Sequence, residues 1–196
     1  MKIITLCREY GAGGHSIGRR VASELGIEIY DRDIIHQSAE ALGIDPEQLE
    51  AEEEGISRSE AFLRVITPIS YDRKDALFDA ESQVIRTLAE KGPCVFLGRC
   101  ADAVLQAAGI DCFRVFLYGD EAHRAKRVGE LIGSDDPAEI QKAMKKTDQA
   151  RRNYYTHYTG KTWGDHRNFH LCLDTGVLGY DACVKLICEA ARGLEA

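Results

Sequence analysis

Residues 4–26 read ITLCREYGAGGHSIGRRVASELG. A short apolar run leads into a turn rich in glycine, and residues 16–25 follow with Ile17, Val21 and Leu25 at helical spacing. Strand, glycine turn and amphipathic helix, in that order, form the context that a phosphate-binding loop requires. Gly11, Gly13 and Gly14 would let the backbone approach a phosphate and turn its N–H groups inward, and the helix N-terminus would add a favourable dipole. The spacing departs from G-x-x-x-x-G-K-[ST], because Arg8 stands at the first glycine and Gly14 at the lysine. A tight strand-to-helix turn without a ligand would use similar glycines. A dinucleotide-binding fold opens in a related way, but G-A-G-G-H-S is not G-x-G-x-x-G, and no ribose-binding acidic residue convincingly follows a second strand.

Working outward, apolar runs at residues 3–7, 94–97, 113–118 and 169–173 predict buried strands, with a shorter candidate at 27–30. Their apolarity is continuous rather than alternating, which suits parallel strands covered on both faces. Helices are expected between them, at 120–132 behind an acidic first turn and at 180–194 with Ala182, Leu186, Ile187 and Ala190 at helical spacing. Alternating β and α elements imply an α/β fold with a doubly wound parallel sheet flanked by helices. Two stretches interrupt the alternation. Residues 44–75 contain the acidic run EAEEEG and predict a helical insertion over one end of the sheet; residues 135–167 predict a long helix running into a mobile loop, with a lid at 145–168 as a substrate cover. The expectation is a single domain over residues 1–196.

Composition narrows the function classes. The 196 residues are 44% apolar and 29% charged, enough for one domain with a sizeable core. A net charge of −7 argues against a nucleic-acid-coating surface, although clustered arginines could still bind a small anion. Seven cysteines include no CxxC pair, six histidines show no metal-ligand spacing, and no stretch approaches a membrane span. The first residues lack a signal-peptide pattern, so a cytoplasmic protein with reduced thiols is expected.

Several further stretches carry a family resemblance: REYGAGGHSIGRRVA (8–22), YDRDII (30–35), FLGRCAD (96–102), EAHRAKRV (121–128), and KTDQARRNYYTHYTGKTW (146–163) with LDTGVLG (173–179). Together they resemble the cytidylate kinase-like family of P-loop nucleoside monophosphate kinases. The opening R-E-Y-G-x-G-G and the run R-x-x-Y-Y-x-x-Y-T-G-x-x-W are its most distinctive parts. The resemblance implies transfer of the γ-phosphoryl group of ATP, with Mg²⁺, to a nucleoside monophosphate, CMP or dCMP first among them. It places Ser16 where such kinases put a hydroxyl for magnesium, and Arg99 in a stretch that contacts the acceptor nucleotide. Asp102 lies near that stretch, though Cys100 and Ala101 intervene, and an i,i+3 ion pair with Arg99 is the plainer reading. Asp31 and Asp33 fall at the acceptor end, or cap the next helix. Arg124 and Arg127 resemble the basic helix before the lid, or form a solvated face paired with Glu121 and Glu130.

Phosphoryl transfer asks little covalent chemistry of the protein, which must align two anions and neutralise developing charge. Arginine suits that work. Arg151 and Arg152, after Asp148, are candidates for closing on the ATP phosphates. Arg8 is the candidate for the missing lysine's role, against pairing with Glu9 or Asp31. His15 could donate to a phosphate or cap the helix. Tyr154, Tyr155, Tyr158 and Trp163 read as packing. The partners expected are small-molecule nucleotides, with neither nucleic acid nor membrane. An alternative is a nucleotide-binding regulator with the same fold and little catalysis.

Overall fold

The computed structural model of the protein describes residues 3–31, 37, 40 and 68–194. It divides into two compact units, Met1–Tyr30 with Gly92–Ala196, and Asp31–Lys91. In the first unit β1 (Ile3–Arg8), β2 (Glu28–Tyr30), β3 (Cys94–Leu97), β4 (Cys112–Tyr118) and β5 (Leu171–Asp174) form one sheet in the order β2-β3-β1-β4-β5. Every pairing is parallel. All five expected strands are present, β3 with the expected bounds and the others with ends moved by at most two residues.

Strand alternation sorts the side chains between two faces. Ile4 and Leu6 of β1, Val95 and Leu97 of β3, and Phe113, Val115 and Leu117 of β4 join one cluster. Helix α1 (Gly14–Leu25) adds Ile17 and Val21 to it, and the last helix (Thr175–Gly193) adds Cys183, Val184, Ile187 and Cys188. Gly18 makes this packing close, because a Cβ there would stand 3.1 Å from both Leu6 Cδ1 and Ile29 Cδ1. On the opposite face Phe116 meets Trp163 edge-on at 5.5 Å and Phe169 at 5.0 Å. Cys94 and Cys112 are buried, while Cys7 and Cys172 are half-buried; all seven cysteines are free thiols.

Three more helices complete this unit: α3 (Ala101–Ala107), α4 (Glu121–Ile132) and α5 (Pro137–Thr159). The last helix of the chain is α6, bent at Gly179, whose φ of 74° is non-helical. Asp120, Asp136 and Asp174 cap α4, α5 and α6 by accepting backbone N–H bonds, which fixes their starts. Past α5 the chain makes a short 3₁₀ turn (His166–Asn168) with buried Trp163 and Phe169 on either side of it.

The second unit contributes α2 (Pro68–Glu90), whose Glu81, Ser82, Ile85 and Leu88 are buried. Most of the insertion expected at 44–75 lies outside the described residues, as does Asp33. No described helix is long and apolar enough to cross a membrane.

Leu6, on the central strand and fully buried, tests the shared core. Leu6→Ala should cost about 2–5 kcal/mol of unfolding free energy, read from the urea midpoint at unchanged slope. A loss below about 1 kcal/mol would mean that this sheet face is not close-packed.

Candidate active site

Parallel strands deliver their C-terminal ends to one edge, where open α/β sheets bind ligands. At that edge β1 ends in Arg8, β3 runs into Gly98 and β4 into Gly119. The strands stay in register there, since Gly98 N donates to Leu6 O at 3.0 Å and Glu9 N to Leu117 O at 3.0 Å. The loop 9–13 then turns the chain into α1.

Each loop glycine answers a specific contact. Gly11 has φ +85°, and a Cβ there would stand 2.6 Å from the Arg124 carbonyl oxygen. Gly13 has φ +75° and lies under the Tyr180 ring. Gly14 is helical, and a Cβ on it would come within 2.7 Å of Arg8 Cγ. The sequence offers phosphate approach or a tight turn as the reason for these glycines; the structure shows that they admit Arg124, Tyr180 and Arg8.

The N-terminus of α1 has no side-chain cap and no acidic residue in its first turn. First-turn N–H groups have no partner within a helix, and the dipole there favours an anion. His15 is exposed and Ser16 half-buried in that turn.

A charge network fixes the loop from behind. Asp148 of α5 accepts from Tyr10 N at 2.7 Å and from Arg124 Nη1 at 2.6 Å. Arg124 Nη1 also donates to Tyr10 O at 3.2 Å, and its Nε lies 3.3 Å from Glu9 Oε2. Glu9 accepts from Gly119 N at 3.3 Å; burial pushes its carboxyl up, with Arg124 opposing. Arg124 is therefore a support for the loop rather than part of a solvated face. Its helical position four residues before buried Val128 is the signal for this in the sequence. Arg127 keeps the solvated reading, paired with Glu130 at 2.7 Å.

Two other arginines stand nearer the glycine turn. Arg151 donates from Nη1 to Arg8 O at 3.1 Å and lies over the Tyr10 ring at 5.6 Å. Desolvation first, then the neighbouring Arg8 charge, pull its guanidinium down to about 9, with Asp148 opposing. Arg8 has neither an ion pair nor a side-chain hydrogen bond among the described residues, so the expected alternative of pairing with Glu9 is not what the structure has; Asp31, the other expected partner, belongs to the second unit. Arg152 lies over the Trp163 ring at 5.6 Å. It also lines a cleft of about 380 Å³ with Glu9, Arg124 and Asp148.

Arg99 sits in an unusual turn. Gly98, Arg99 and Cys100 have φ of 82°, 58° and 51°, three left-handed residues in a row. For Arg99 and Cys100 this costs roughly 1–2 kcal/mol each, a form of strain that persists where surrounding structure imposes it. Asp102 follows in α3 but is only 5% exposed, which removes the surface ion-pair reading. It accepts a hydrogen bond from Tyr155 Oη at 2.8 Å, and burial pushes the carboxyl up. Tyr155 thus does more than the packing that the sequence suggests. Asp31 belongs to the second unit, as a half-buried residue in a bend. Lys161 bonds Gln106 at 2.8 Å on the surface.

The donor set suits magnesium that arrives with a nucleotide. Mg²⁺ is commonly held by phosphates and water with one or two protein oxygens, and the Ser16 hydroxyl could supply one. Among the described residues no group of three or more His, Cys, Asp or Glu could hold a metal by itself.

Residues 3–177 match the cytidylate kinase-like family. The chain belongs to that family. No curated protein matches the sequence. Among solved structures, an uncharacterized protein from Eubacterium ventriosum superposes with a TM-score of 0.72 at 24% identity, covering 97% of this chain and 98% of that one. A shikimate kinase from Acinetobacter baumannii, in complex with shikimate, gives 0.55 at 16% identity, over 98% and 94% of the two chains. A gluconokinase from Sinorhizobium meliloti gives 0.55 at 19% identity, over 99% and 95%. The fold is therefore that of the P-loop kinases, as the sequence implied.

Asp148 is mostly buried and serves the loop and Arg124 together, whereas the Arg127–Glu130 pair is solvated. Asp148→Ala should cost on the order of 3 kcal/mol in chemical denaturation, and Arg127→Ala less than about 0.5 kcal/mol. Equal effects would show that the network does not hold the loop.

Proposed function

We propose that this protein transfers the γ-phosphoryl group of ATP to a small acceptor, with a nucleoside monophosphate of the CMP or dCMP type as the first candidate. The observation that carries this reading is the pairing of two arginines with an uncapped helix N-terminus, Arg151 donating to the Arg8 carbonyl at 3.1 Å beside the start of α1. That arrangement suits a polyphosphate. Family membership supports the kinase class.

In this reading the N–H groups around Gly13, Gly14 and His15, with the α1 dipole, hold the donor phosphates. Arg151 neutralises charge that builds as the γ-phosphorus leaves the β–γ bridging oxygen, and Arg152 closes from the same helix. ADP departs with that bond's electron pair. An acceptor oxygen forms the new bond; a phosphate acceptor attacks as its anion, and a hydroxyl releases its proton to solvent. Magnesium, bound with ATP and the Ser16 hydroxyl, would supply further neutralisation. Arg99, presented by its left-handed turn, would bind the acceptor, and Asp102 would orient that region through Tyr155. Asp31 keeps its acceptor-binding role on the family resemblance alone.

A second reading rests on the fold neighbours, whose names carry acceptors other than nucleotides, shikimate and gluconate. The regulator without catalysis remains the third.

A coupled ATP-consumption screen separates the three. CMP or dCMP should stimulate Mg-dependent turnover more than UMP, AMP or GMP. Stimulation by a hydroxy acid alone would move the acceptor class to the second reading. ATP binding without turnover on any acceptor would leave the regulator.

The two lid arginines should also differ. Arg151→Ala should lower kcat by about 10²-fold with a smaller change in ATP affinity, because only differential stabilisation of the transition state accelerates the step. Arg152→Ala should lower it less, since that guanidinium already rests on Trp163. Losses confined to binding would make both residues tethers.

A further inference from the structure

Arg8 is set between two glycines that have no room for side chains of their own. Its stem crosses Gly14, the position of the lysine in an ordinary phosphate loop, where a Cβ would stand 2.7 Å from Arg8 Cγ and 3.1 Å from its Cβ. Its Nη1 then occupies the space that a Cβ on Gly98 would take. Gly98 opens the left-handed turn that carries Arg99. Strand pairing makes the reach possible, since β1 and β3 are neighbours with Leu6 opposite Leu97. The guanidinium therefore leaves the donor loop and ends at the turn on the acceptor side, with no carboxylate partner among the described residues. A structural arginine so placed would be expected to find one, because an unpaired charge withdrawn from water is costly.

We infer that Arg8, Gly14 and Gly98 form one unit: a relocated loop cation that spans from the donor phosphates to the acceptor turn and contacts the phosphoryl group in transit. This rests on the phosphoryl-transfer reading above. In this arrangement Gly14 is not a lost lysine but the clearance for Arg8. A lysine reaches the β- and γ-phosphates from the helix; Arg8 reaches them from the strand, and its planar fork can engage two oxygens at once.

Gly14 gives the clean test. It is helical, so alanine there is unstrained and favoured by helix propensity, yet its Cβ would push the Arg8 stem aside. Gly98→Ala displaces the guanidinium from the other end but is also strained by its positive φ, so it serves as the secondary variant. Four proteins are compared: wild type, Arg8→Ala, Gly14→Ala and the double variant. Each is checked for folding by thermal melt, for inorganic tripolyphosphate affinity by calorimetry, and for kcat with the best acceptor from the screen.

Arg8→Ala should lose on the order of 10²-fold in kcat, the scale for removing one electrostatic stabiliser, and several-fold in tripolyphosphate affinity. Gly14→Ala should lose kcat in the same direction while melting no lower than wild type. The double variant should be no worse than Arg8→Ala, because the clash has nothing left to displace. Arg8→Lys should recover part of the loss.

Folded Arg8→Ala within about three-fold of wild type on both readouts would overturn the inference. So would multiplied losses in the double variant, which would give Gly14 a role of its own. If wild type binds tripolyphosphate but turns over no acceptor, the phosphoryl-transfer reading fails while the affinity cycle still decides the Arg8 contact. Absence of tripolyphosphate binding in wild type would overturn both.

Discussion

The position of β1 at the centre of the sheet is the constraint from which the site follows. Parallel pairing to β3 on one side and β4 on the other fixes where three chain segments emerge. Arg8, Gly98 and Gly119 arrive together only because Leu6 pairs with both Leu97 and Val115. The residues that hold this register are apolar and buried, each contributing roughly 1.5–3 kcal/mol on removal from water. Charged groups at the edge then need little stabilisation of their own, and some are left short of counter-charge. That shortfall makes the edge suited to an anion.

The loop and helix α5 are less separable than a lid hinged over a fixed site would be. Asp148 bonds the loop backbone, Arg151 bonds the carbonyl of Arg8, and Tyr155 bonds Asp102. These three contacts lie along one helix face at spacings of three and four residues. One element thus touches the glycine loop and the end of β1 at Asp148 and Arg151, and Asp102 of helix α3 one turn further on. A small shift of α5 would be felt at both.

Local pattern carries most of the architecture and only part of the site. Strands at 94–97 and 113–118 are legible because a continuous apolar run of strand length between turn signals has one economical fate, burial in the middle of a sheet. The strand-to-helix glycine turn is legible from its residues, and family-specific runs such as the one ending at Trp163 identify the family. What stays hidden depends on contacts far apart in sequence. Spacing four residues before Val128 turns Arg124 inward, but nothing near it says that Glu9 and Asp148 will meet it. Tyr155 reads as packing because its partner Asp102 lies 53 residues away. Likewise, Gly14 reads as a missing lysine until the path of the Arg8 side chain accounts for it. Helical periodicity says which face is buried, not which charge waits there.

Trp163 gives the molecule an optical property that follows from its placement. It is the sole tryptophan in the chain, buried edge-on to Phe116, with the Arg152 guanidinium over its ring. An indole excited state is sensitive to a cation at its face and to the entry of water. The natural emission of the protein is therefore a local gauge of one contact near the end of α5, uncontaminated by other indoles. Movement of Arg152 off that ring would register as a change in colour and yield of fluorescence, with no label added.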